Sequence, residues 1–147
     1  MTGELSHDFD KALVAVMGEL ARAVDSLHAN LIDERMALDQ ADTSALEIVG
    51  RAKGQLLDRI EKLDVERRQL GQASGIDSLA DARWSATTDL LVECRRLNEV
   101  NGRIVHQRMG HVRQALALLA GDAPGGSTYG PQGTTKVRLR SAMLAQV

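Results

Sequence analysis

Apolar residues recur at spacings of three and four from Phe9 through Leu13, Met17, Leu20, Val24 and Leu27 to Leu31, and Leu38 rejoins the stripe after a polar step at Glu34. That period places one apolar face on an α-helix. Ser6 offers a hydroxyl to free backbone amides, and Asp8 and Asp10 complement the positive end of the dipole. The pattern therefore predicts a helix from Ser6 to Leu38, on the order of 50 Å long.

A second stripe runs through Leu46, Val49, Lys53, Leu56, Ile60, Leu63, Arg67 and Leu70, alternating three and four as in a narrow coiled-coil seam. Ser44 and Glu47 have the spacing of a capping box, so this helix is expected to start at Ser44. Gly71 and Gly75 close it, since glycine readily takes the left-handed conformation. Lys53 and Arg67 interrupt the seam, and long basic side chains in such places usually lay their stems on apolar surface and send the charge to water.

A third helix is expected from about Asp77 or Ser78. It carries Leu90, Cys94, Leu97, Asn101 and Ile104 on one stripe and Val105, Met109, Val112, Leu116 and Leu119 on an adjacent one, as if its halves faced different neighbours. Asn101 falls on the apolar stripe, where a buried amide can fix helix register, and Gly102 beside it would permit close helix approach. Short connections favour antiparallel packing of consecutive helices. The expected fold is all-α: an elongated antiparallel three-helix bundle over residues 1–121.

After Ala120 the pattern stops. Residues 122–135 are rich in glycine and turn formers, contain Tyr129-Gly130-Pro131-Gln132-Gly133, and read as a flexible linker. Residues 136–147 follow as a short amphipathic tail with apolar Val137, Leu139, Met143, Leu144 and Val147. Burying about four of these side chains would contribute roughly 6–12 kcal/mol gross. Fixing about twelve backbones costs on the order of 1–2 kcal/mol each, so the tail is expected to be ordered by a partner rather than alone.

Composition adjusts this picture in three ways. Phe9, Trp84 and Tyr129 are the only aromatics, so the core must be aliphatic, and good helix formers dominate. The net charge of −2 gives no overall field to attract nucleic acid, and no stretch is long and apolar enough for a membrane span or a secretory signal. Charge is uneven, however: Met1 to Asp42 holds nine acids and three bases, whereas the segment after Asp122 holds three bases and no acid, so the tail has an electrostatic reason to fold back on the first helix. A single cysteine, Cys94, excludes an intramolecular disulfide and suits a reducing cytoplasm.

Catalytic chemistry is not indicated. His106 and His111 are five apart and lie on different helix faces, His7 and His28 stand alone, and no metal-ligand spacing results. Cys94 on an apolar stripe reads as a small buried hydrophobe, and Gly125-Gly126 is not followed by a phosphate-loop lysine. No catalytic, cofactor or metal site is expected.

The segments Leu31-Ile32-Asp33-Glu34-Arg35-Met36-Ala37-Leu38, Lys53-Gly54-Gln55-Leu56-Leu57, Glu66-Arg67-Arg68, Asn98-Glu99-Val100-Asn101-Gly102 and Tyr129-Gly130-Pro131-Gln132-Gly133 occur in this order along most of the chain. In this arrangement the chain resembles the FlgN family of flagellar export chaperones. The resemblance implies a cytoplasmic, non-enzymatic chaperone that binds hook-filament junction (hook-associated) proteins, prevents their premature assembly and delivers them to the flagellar type III export gate. It maps cargo binding onto Val112, Leu116 and Leu119 at the end of the third helix and onto Val137, Leu139, Met143, Leu144 and Val147. Export-gate contact maps onto Tyr129, with Gly130, Pro131 and Gly133 shaping its loop. A generic coiled-coil adaptor is the alternative, and it predicts that deleting the residues after Asp122 leaves partner binding intact. A nucleic-acid binder would need a basic face beyond the short tail. The long stripes also need covering, by a second copy in a homodimer or by cargo.

Overall fold

The structure is a computed structural model and describes residues 2–75 and 82–121. Among these residues there are three helices and no strand: α1, Thr2–Asp39; α2, Thr43–Ser74; and α3, Ala82–Leu119. The proposed linker, the Tyr129 motif and the tail lie outside the described residues, as does the expected start of the third helix at Asp77 or Ser78.

α1 begins at Thr2, so Ser6 stands inside the helix rather than capping it. Only Gln40, Ala41 and Asp42 separate α1 from α2. The Ala41 amide donates to the Leu38 carbonyl and the Asp42 amide to the Ala37 carbonyl, at 3.1 and 3.0 Å, with Ala41 left-handed at φ 52°. This is the Schellman closure, here made without glycine. Asp42 then caps the next helix by accepting the Ala45 amide at 3.0 Å. The expected capping box at Ser44 is thus replaced by a cap two residues earlier, while Glu47 pairs with Arg51 on the surface. At the far end of α2, Gly75 closes the helix at φ 69° and donates to the Gly71 carbonyl.

α1 is the spine. Leu13, Val16, Met17, Leu20 and Ala23 cluster with Leu63 of α2 and Trp84 of α3, and Val24, Leu27 and Leu31 form a second cluster around Cys94. α1 and α3 run parallel with one constant offset. The Cys94 thiol faces the Val24 carbonyl at 4.0 Å, the Asn101 amide donates to the Leu31 carbonyl at 3.0 Å, and Arg108 donates to the Leu38 carbonyl. Each contact lies seven residues beyond the last on both helices, the heptad step of a coiled coil. α2 runs antiparallel to α3, since Lys53 meets Asn98 and Arg67 meets Trp84.

Two basic residues behave differently from the sequence-based expectation. Lys53 is 2 % exposed, and its Nζ lies 2.8 Å from Glu34 Oε2 and donates to Asn98 Oδ1 at 3.1 Å. Glu34 and Asn98 are buried as well. Arg67 is also buried, its guanidinium 4.0 Å from the Trp84 ring centroid and bonded to Asp64 at 3.0 Å. Neither reaches water, because the other helices bring an anion to one and an aromatic face to the other.

Candidate partner-binding surface

α3 outruns the bundle. Arg108 bonds Leu38 one residue before α1 ends, and from Gly110 to Ala120 every residue is exposed. The eleven residues from Met109 to Leu119 carry the helix roughly 16 Å past the level of Leu38.

The face presented by this overhang follows from helix geometry. Eighteen residues make about five turns, so Val112 lies directly along the axis from Cys94, Leu116 from Asn98 and Leu119 from Asn101. The stripe that α3 buries against its neighbours therefore continues past them in the same direction. The two stripes read in the sequence are one face, covered in its first half and uncovered in its second. Val112 is 55 % exposed, Leu116 60 % and Leu119 83 %, with Leu118 equally exposed on another side.

The structure places the residues expected to bind cargo in α3, Val112, Leu116 and Leu119, together on this overhang. Val137, Leu139, Met143, Leu144, Val147, Tyr129, Gly130, Pro131 and Gly133 lie outside the described residues. Asn101 is 1 % exposed and bonded to Leu31. At Gly102 an added Cβ would meet nothing within 4 Å, so no close helix approach is made there.

Sequence reasoning missed the polar layer of Glu34, Lys53 and Asn98, to which each helix contributes one residue. A signal was present: opposite charges interrupt two apolar stripes, and Asn98 opens the Asn98-Glu99-Val100-Asn101-Gly102 segment. Beside this layer, Leu27, Leu31, Leu57, Ile60, Leu91 and Cys94 line a half-open apolar cleft of about 210 Å³. Burial raises the Cys94 thiol above its ordinary pKa, and the charges of Glu93 and Asp25 add to the effect, which favours the protonated thiol. Among the described residues no group of three potential metal ligands converges, and no helix is long and apolar enough to cross a membrane.

Fold and surface together define a class: an all-helical bundle in which one helix extends past its neighbours with an exposed apolar stripe. The FlgN family, described as FlgN protein, matches residues 9–136, which is most of the chain. The chain belongs to this family of flagellar export chaperones, which bind hook-associated proteins and are not enzymes. No curated protein and no solved structure matches.

Proposed function

We propose that this chain is a cytoplasmic export chaperone that binds hook-filament junction proteins, masks their amphipathic ends until export and hands them to the flagellar type III export gate. The observation that supports this reading is the uncovered stripe of α3, with Val112 and Leu116 more than half exposed on a helix otherwise packed in a bundle. Amphipathic cargo termini carry apolar faces that would pair prematurely, and a matching helix face hides them. In this proposal Val112, Leu116 and Leu119 form the folded part of the cargo surface. Val137, Leu139, Met143, Leu144 and Val147 add a segment that orders on binding. Tyr129, held between Gly130, Pro131 and Gly133, makes the separate contact with the gate.

Calorimetric titration with C-terminal segments of hook-filament junction proteins tests it, using the full chain, a chain ending at Asp122 and Tyr129→Ala. The full chain is expected to bind, truncation to weaken binding strongly, and Tyr129→Ala to leave it unchanged. Absence of binding by the full chain would sink the reading and favour a generic adaptor.

A further inference from the structure

The uncovered stripe has a charge environment that its apolar residues do not reveal. From Val100 to Gly121 the chain holds Arg103, Arg108, Arg113, His106 and His111 and no acid. At about 100° per residue, Arg113 falls on one edge of the Val105–Met109–Val112–Leu116–Leu119 stripe, and Arg108, which also donates to the Leu38 carbonyl, falls on the other at the root of the overhang. The seam is thus bordered by Arg113 along the overhang and by Arg108 at its root, with no acid from Val100 to Gly121 to offset them. In helix pairing, residues bordering an apolar seam select the partner, because like charges across it repel and opposite charges attract.

We propose that the overhang of α3 is a docking seam for an amphipathic helix whose apolar stripe is bordered by Asp and Glu, supplied by the exported protein. The proposal rests on the chaperone reading for the source of that helix, and on charge complementarity for its chemistry. Other occupants fit less well. A second overhang would bring arginines against arginines, and the chain's own segment 136–147 has Lys136, Arg138 and Arg140 with no acid. The start of α1 is acidic, but only Leu5 and Phe9 are exposed there before the stripe goes under at Leu13, which is too short for the seam. A second copy docked that way would also leave its own seam open, so the contact would not close. An anionic membrane suits a basic amphipathic helix, but interfacial helices carry aromatic anchors on a broad apolar face. This seam is narrow and has no aromatic residue from Ser85 to Thr128.

The test uses the full chain and two synthetic helical peptides about five turns long with the same leucine stripe, one bordered by glutamate and the other by lysine. The glutamate peptide is expected to bind and the lysine peptide to fail. Arg113→Glu should weaken the first about tenfold and admit the second, with the glutamate complex weakening as salt is raised. Leu116→Ser should weaken both pairings without changing helicity. Equal binding of the two peptides, or indifference to Arg113→Glu, would overturn the proposal.

The same titration with cargo C-terminal segments separates the two readings. Cargo that binds the full chain equally well at low and high salt, and equally well to Arg113→Glu, overturns the acidic seam and leaves the chaperone reading standing. Failure of all cargo segments, with the glutamate peptide still bound, leaves the seam and overturns its assignment to exported protein. Two further results would reassign the seam: Leu116-dependent binding to phosphatidylglycerol vesicles, or Arg113-dependent self-association in sedimentation.

Discussion

Cys94 and Val112 occupy the same angular position on one helix, about five turns apart, yet Cys94 is 3 % exposed and Val112 55 %. The same contrast holds for Asn98 and Leu116, and here it is inverted in chemistry: the polar residue is buried and the apolar one faces water. Amphipathic periodicity reports which face of a helix is apolar, not what lies against it. Inside the bundle the face accommodates polar groups because each finds a partner, Asn98 on Lys53 and Asn101 on Leu31. Beyond the loop there is nothing to satisfy, and the face is purely aliphatic. The first region is built to specify register among three helices; the second meets no helix among the described residues.

The largest expected effect comes from breaking the buried layer. Lys53→Met leaves Glu34 buried beside a thioether, and loss of one partner of a buried ion pair costs about 3–5 kcal/mol. The variant should show that loss in urea denaturation, while Lys53→Met with Glu34→Leu recovers the part due to the orphaned carboxylate and keeps a cost of about 1–3 kcal/mol for buried Asn98, which still lacks its lysine donor. A double variant no more stable than Lys53→Met would show that the cost comes from packing at position 53 and from the lost Asn98 bond rather than from the orphaned charge.

A second pair of variants sharpens the comparison between covered and uncovered leucines. Leu31, 1 % exposed and bonded through its carbonyl to Asn101, should lose about 2–5 kcal/mol as Leu31→Ala. Leu116→Ala should change stability by no more than about 0.5 kcal/mol, because its side chain has little burial to lose. The same substitution should nevertheless weaken partner binding. Comparable destabilisation by both would mean that the overhang is covered in the free protein.

Much of the fold was legible because stripes of three and four over more than thirty residues leave little alternative to long helices, and short connections between them impose a bundle. The exact starts were not legible, since several Ser, Thr and Asp side chains near Ser6 and Ser44 offer equivalent caps and packing chooses among them. Lys53 and Arg67 were misread for a related reason. Whether a long cation snorkels or pairs depends on what another helix brings opposite it, and the register of Lys53 with Glu34 and Asn98 is a tertiary fact. Of the candidate surface, the residues were legible and their exposure was not. Exposure is decided by where α1 and α2 stop relative to α3, which the constant offset from Cys94 to Arg108 fixes only once the helices are docked.

The smallest effects concern two positions where the local backbone and the residue disagree in opposite senses. Ala41 adopts φ 52° between α1 and α2, a conformation in which a Cβ costs about 1–2 kcal/mol. Gly102 sits in the middle of α3, where an added Cβ meets nothing within 4 Å and glycine costs about 0.5–1 kcal/mol relative to alanine. Ala41→Gly relieves the strain but gives back part of the gain through the greater freedom of the unfolded chain, so a net stabilisation of about 0.5–1 kcal/mol is expected. Gly102→Ala should stabilise by a similar amount, and because the added methyl meets nothing within 4 Å the two should add within about 0.5 kcal/mol. Thermal denaturation of the single and double variants decides both. If Gly102→Ala lowers the melting temperature, that face of α3 is covered in the free protein rather than open as the empty space around Gly102 indicates.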